Sequence, residues 1–273
     1  MHLGSDVPGR IVRLPGGVAM NIAMTLRRFG LSPAILSAIG SDPEGDELIA
    51  ACRRLGIDTT HVYRSSDLPT DRYMAVEGAN GLISAIADAH SLEAAGERIV
   101  QPLRDGTLGD AGEPFDGLIA LDGNLTVDLL AEIAADPCFA RADLRLAPAS
   151  PGKAERLLPL LPHRGVTAYV NLEEAGLLCH RRFANSSDAA RGLLDRGARR
   201  VLVTDGGGPA ADGSADGILS AAAREVLVTR VTGAGDTFMA AHIAAETGGA
   251  DREAALEAAL QAAADYVSGD TAP

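Results

Sequence analysis

Between residues 117 and 204, short apolar runs alternate with helical stretches, and nothing else in the chain restricts its fold as much. Residues 117–121, 144–147, 166–170 and 200–204 read as strands, and residues 125–135, 153–161, 173–179 and 187–196 as helices. Strands that alternate with helices build a mainly parallel sheet covered on both faces, a three-layer α/β/α arrangement. Hydrophobic residues make up 47% of the 273 positions, enough apolar matter for one large α/β core or two small ones. No internal repeat or long low-complexity tract divides the chain, so residues 1–273 are read as a single domain.

The flanking regions add pieces to this frame. Residues 34–39 read as a strand, and Asp42-Pro43 starts a helix with Asp as cap and Pro at the first helical position. Two β-like runs, 72–77 and 82–87, surround Gly78-Ala79-Asn80-Gly81 and predict a hairpin within about 70–90 that stands out from the main sheet as a small lid. Residues 96–116 are loop-rich, and Asp88 at the lid edge reads as a water-exposed carboxylate. Ile218–Ala221 and Val226–Val228 read as a further β pair, and Ala-rich helices are expected near 236–246 and 251–267.

Two glycine turns carry the chemistry. Val231-Thr232-Gly233-Ala234-Gly235-Asp236-Thr237-Phe238 joins an apolar run to a helix. Backbone N–H groups and the positive end of the helix dipole then meet at one spot, which suits an anion. Asp236, in the first turn, is placed to accept a proton from an attacking hydroxyl while the amides hold phosphate charge. A plain turn with a capping Asp fits the same octet equally well. The second turn, Gly16-Gly17, opens a helix running to Phe29 and closed by Gly30. Its apolar surroundings bury Asn21, which then needs a partner. Ligands of open α/β sheets bind beyond the carboxyl ends of the strands, where Asp122 and Asn124, Asn171 and Glu174, and Thr204 and Gly206 all fall. These three clusters and the Gly235 turn, four features on one edge, favour phosphoryl transfer. No GxxxxGK[ST] and no GxGxxG occur, which removes a P-loop enzyme and weakens a nicotinamide reading.

Composition closes other routes. A net charge of -13 with 3% aromatic residues disfavours nucleic acid as a partner. Cys52, Cys138 and Cys179 are far apart, and the six His residues show no metal-ligand spacing. No apolar run reaches about 18 residues, and residues 1–15 have no basic-then-apolar leader, so a reduced cytoplasmic protein off the membrane is expected.

Gly16-Gly17-Val18-Ala19-Met20-Asn21-Ile22-Ala23 through Gly30 resembles the first signature of the ribokinase-like (PfkB) carbohydrate and nucleoside kinases, and Thr232-Gly233-Ala234-Gly235-Asp236 their second. Asn171-Leu172-Glu173-Glu174 resembles their N-x-x-E motif, and Thr204-Asp205-Gly206 their T-x-G nucleotide strand. Tyr73–Val76 with Ala85–Asp88, Leu121–Leu125, and Pro148–Glu155 resemble segments of pseudouridine kinases. The resemblance implies a ribokinase-like fold and ATP-dependent phosphorylation of a primary hydroxyl, with pseudouridine favoured as substrate. Another sugar substrate, or a degenerate member that only binds ligand, are the alternatives. It implies Asp236 as base, with amides of Gly233, Ala234 and Gly235 for the transferring phosphoryl. Asn171 and Glu174 would organise Mg²⁺ and phosphates through water, Thr204, Gly206 and Thr232 would border ATP, and Gly16, Gly17 and Asn21, with Asp122 and Asn124, would hold the sugar. A homodimer through the lid is expected on the same ground.

Two departures stand out. The family begins with a strand carrying a sugar-binding Asp. No such strand precedes Gly16, and Asp6 has a different context, so a missing inner strand and a weakened sugar site are expected. Arg230 occupies a position often acidic near a monovalent-cation site, which leaves that cation open. Lys153 reads as a solvated cation at a helix start.

Overall fold

A computed structural model describes residues 9–78 and 81–269; Asp6 and the hairpin-turn residues Ala79 and Asn80 lie outside them. In chain order the elements are α1 (Val18–Arg28), β1 (Ala38–Gly40), α2 (Pro43–Arg54), β2 (Tyr63–Ser65), β3 (Tyr73–Gly78), β4 (Gly81–Ala87) and α3 (His90–Ala95). The alternating region then follows: β5 (Leu118–Asp122), α4 (Val127–Ala135), β6 (Asp143–Ala147), β7 (Val166–Asn171), α5 (Leu172–Cys179), α6 (Ser186–Asp195) and β8 (Arg200–Asp205). The chain finishes with β9 (Gly208–Ser214), β10 (Gly217–Ala221), α7 (Ala234–Thr247) and α8 (Arg252–Ser268).

Six strands form the main sheet in the order β10-β9-β8-β7-β6-β5. β5 to β8 are parallel, and β8-β9-β10 continue antiparallel. Alternate side chains along each strand enter different cores. Leu144 and Leu146 of β6 pack with Leu130 and Ile133 of α4 and Leu193 of α6. Tyr169 and Leu202 face the opposite way, against Phe238, Met239 and Ile243 of α7 and Leu256 of α8. Helices therefore cover both faces, and the three-layer expectation holds. Helix α7 is buried from Thr237 to Ile243 without a break, which explains its lack of a polar face.

Several local expectations change. Residues 153–161 are a 3₁₀ segment, Pro151–Leu157, followed by turn rather than an α-helix. Residues 226–228 are not a strand: Leu227 is 81% exposed. The partner of β10 is β9, whose Gly-Pro-Ala-Ala-Asp-Gly-Ser sequence lacks the branched apolar residues that mark strands. Of residues 34–39, only the end joins β1, and Ala34 makes an isolated bridge to Asp58.

β1 and β2 form a separate parallel pair. No backbone ladder joins them to β5, and among the described residues no strand precedes α1. Helix α1 ties the two parts together. Its Ile22 and Leu26 enter the core beneath α7, while Met20 and Ala23 pack with Ile35, Cys52 and Ile57. The β3–β4 hairpin forms as expected, and Tyr73, Met74, Ile83 and Ile86 on it are each more than half exposed.

Candidate active site

The start of α7 is shaped by glycine. Gly233, its N-cap, sits at φ 90°, a left-handed conformation that a side chain would strain. A Cβ there would also lie 2.6 Å from the Tyr266 hydroxyl, which donates to the Thr232 carbonyl at 2.8 Å. Helix α8 thus braces the turn through Tyr266. The first helical bond runs from the Thr237 amide to the Gly233 carbonyl. The Ala234 amide donates to the Val231 carbonyl, which corrects its expected place among the free donors. The amides of Gly235 and Asp236 precede the first helical bond and remain as the donors of this helix end. A Cβ on Gly235 would meet nothing within 4 Å, so the backbone here faces open space.

The two glycine turns meet through side chains. Asn21 Nδ2 donates to Asp236 Oδ2 at 2.8 Å, across 215 residues of sequence. Asn21 is delivered by α1, whose N-cap Gly17 has φ 97°. Asn21 is half-buried rather than buried, and its amide finds its partner in the carboxylate named as base. Burial pushes the Asp236 carboxyl up to about 6, with Asp122 reinforcing the shift and the Asn21 amide opposing it. Asp122, at the end of β5, is raised by burial too, against hydrogen bonds from Asn124 and from the Ala19 amide in the first turn of α1. Two carboxylates therefore share one cleft between α1, β5 and α7.

Lys153 also belongs here. Its Nζ donates to Asn124 Oδ1 at 2.7 Å, and its charge favours ionised Asp122. It is half-buried in the site, not a solvated cation as its position suggested.

Asn171 and Glu174 close a capping box on α5: the Glu174 amide donates to Asn171 Oδ1 and the Asn171 amide to Glu174 Oε2, both at 2.8 Å. The local structural role is plain, yet Glu174 is also under electrostatic stress. Burial pushes its carboxyl up to about 7, and Glu173 and Asp236 add to the rise. The β7–β8 register sets Asn171 beside Thr204. Gly206, at φ 53°, turns the chain into β9. Neither Thr204 nor Gly206 contacts Asp236 or Asn21 by hydrogen bond among the described residues, and Thr232 offers the site only its position before the turn. Gly16 and Gly17 have open space around their Cα atoms.

Among the described residues, no three His, Cys, Asp or Glu side chains converge as a metal cage. A divalent cation at this edge would take its ligands mainly from phosphate and water, as Mg²⁺ does. The donor set fits: Glu173 and Asp236 both repel Glu174, and open amides face the same cleft.

Known proteins resemble parts of this chain in sequence and nearly all of it in fold. The Escherichia coli protein called uncharacterized sugar kinase YeiI is 33% identical over 124 residues, 45% of this chain and 33% of that protein. The Arabidopsis thaliana pseudouridine kinase is 28% identical over 82 residues, 30% of this chain and 21% of its own length. These matches span about a third and a fifth of the two relatives. An Escherichia coli structure solved with ATP and Mg²⁺, under the provisional label ribokinase II, superposes with a TM-score of 0.75 at 21% identity, over 98% of this chain and 88% of that one. The family model described as pfkB family carbohydrate kinase matches residues 5–269, which takes in both glycine turns and every strand between them, and the chain belongs to that family.

Proposed function

We propose that this protein transfers the γ-phosphoryl group of ATP to a primary hydroxyl of a sugar or nucleoside, as a single domain with a hairpin lid. The observation that carries this is the Asn21–Asp236 hydrogen bond, which joins the sugar-side turn to the anion-side turn. Asp236 takes the hydroxyl proton as the substrate oxygen bonds to phosphorus and the bridging oxygen leaves with ADP. Asn21 holds one carboxylate oxygen and leaves the other for the proton. The amides of Gly235 and Asp236, with the α7 dipole, stabilise charge on the transferring group. Mg²⁺ bound to the phosphates supplies charge neutralisation, and Glu174 with Asn171 are the residues that would hold its water. Asp122, Asn124 and Lys153 form the polar wall for substrate hydroxyls, beside the open backbone at Gly16 and Gly17. Thr204, Gly206 and Thr232 border the nucleotide.

Pseudouridine is the substrate to test first, because a pseudouridine kinase is among the relatives. An ADP-release assay over ribose, other sugars, nucleosides and pseudouridine tests the proposal. Pseudouridine-dependent release that disappears in Asp236→Asn is expected; no release with any acceptor would overturn it. Glu174→Gln should raise the Mg²⁺ concentration needed for half-maximal rate more than it raises KM for the acceptor, and an unchanged Mg²⁺ dependence would remove Glu174 from that role. The exposed apolar hairpin supports a homodimer through the lid, and three free thiols suit a reducing cytoplasm.

A further inference from the structure

We infer that the opposite rim of the main sheet, at the amino ends of β6, β7 and β8, binds an oligophosphate anion. The three successive connections into β6, β7 and β8 each carry an arginine within two residues of the strand: Arg141, Arg164 and Arg199. These three and Arg200 line one groove of about 460 Å³, with Asp143 the acid among them.

The acids around the groove are already engaged. Asp143 holds Arg145 through two bonds of 2.6 and 2.7 Å, Asp116 holds Arg141 at 2.9 Å, and Asp212 holds Arg200 at 2.7 Å. Arg164 donates only to the Ala140 carbonyl, at 2.8 Å, and Arg199 makes no hydrogen bond or ion pair among the described residues. Two guanidinium forks thus face the groove without a carboxylate. Their field reaches a neighbour: burial first, then Arg164, lowers the proton affinity of His163.

The chain as a whole carries -13, so a convergence of uncompensated arginines is a local feature and not a by-product of a basic surface. Guanidinium forks match phosphate oxygens in pairs, and several arginines in a row match several phosphates. Long nucleic acid is disfavoured by the same overall charge. The site lies across the sheet from the Asp236 cleft, so it is a separate locus and does not depend on the kinase chemistry proposed above.

Hydrogen exchange of the full chain with and without sodium tripolyphosphate, at low ionic strength and without Mg²⁺, tests the inference by position. Slowed exchange is expected in residues 140–143, 163–167 and 198–201. In Arg164→Gln/Arg199→Gln the same protection should need at least tenfold more tripolyphosphate, while any response at residues 233–238 stays as in the parent. Both side chains are exposed, so the double variant should melt with the parent; if it melts lower, Arg199→Gln alone is compared. An ATP arm separates the sources: rim protection at lower concentration than tripolyphosphate assigns a nucleotide, and equal concentration assigns the phosphates alone. No protection of the rim by either anion, or equal protection in the variant, overturns the site.

Discussion

Asp236 holds a carboxylate where the fold would rather hold a neutral group. Its folded carboxyl titrates near 6 and the unperturbed one at 3.8. The stabilisation of the protonated form is complete below 3.8 and is lost as pH rises through about 6. Asp236→Asn should therefore melt higher than the parent above pH 6, by roughly 1–2 kcal/mol once partial exposure is allowed for, and the two should converge toward pH 4. The same variant should lose turnover by about two to four orders of magnitude. A melting advantage without loss of turnover would leave Asp236 structural only. In the parent, kcat/KM should fall below about pH 6 as a single proton is taken up. Asp236 and Asn21 were legible in sequence because a glycine turn and an amide among apolar residues each demand an explanation. Lys153 was not, because its partner Asn124 lies 29 positions away and a lysine near a helix start usually meets water.

Elements were legible where burial writes itself into residue type. β6 and β7 are buried along nearly their whole length, with Leu144 and Leu146 and then Val166, Ala168 and Val170 marking one apolar face, and both were found close to their observed bounds. β9 is built of small residues, and Val226–Val228 is apolar but exposed, so residue type pointed to the wrong segment there. The hairpin has the reverse problem: a two-stranded ribbon is marginal alone in water, yet its apolar side chains are uncovered. If it pairs with a second copy, Ile86→Lys should shift the protein from dimer to monomer in sedimentation, with little change in far-UV dichroism. A parent that is already monomeric would refute the lid dimer. Helix α7 has its own anchor. His242 is fully buried, 2.9 Å from the Tyr169 hydroxyl, beside Arg145, Arg200 and Glu246. Burial lowers its titration to about 4 from 6.5. Stability from neutral His242 is full above 6.5 and is lost as pH falls through that window, by roughly 3 kcal/mol at most. His242→Gln should flatten the pH slope of melting between 6.5 and 4; an unchanged slope would show that another group sets it.

At the scale of the molecule, the main sheet and the β1–β2 pair are two plates without a shared ladder. β5 has one unpaired side, so its amides should exchange faster than those of β7, which is paired on both sides. Equal protection of β5 and β7 would mean that something covers that edge. The parallel plan was legible from the alternation of strand and helix, while the break between the plates was foreshadowed only by the family's extra strand. The hydrogen-bonded pair proposed for catalysis spans this seam. Asn21 rides on α1, whose inner side chains are shared between both plates, and Asp236 rides on α7, which belongs to one. A small rocking of one plate against the other would change the distance between the two turns, working against the place that Ala38 of β1 holds in the main-sheet core. A ligand gripping both turns would act as a rivet, so that the protein's stiffness, measured as the cooperativity of its melting, should rise with occupancy of the site even where the midpoint moves little.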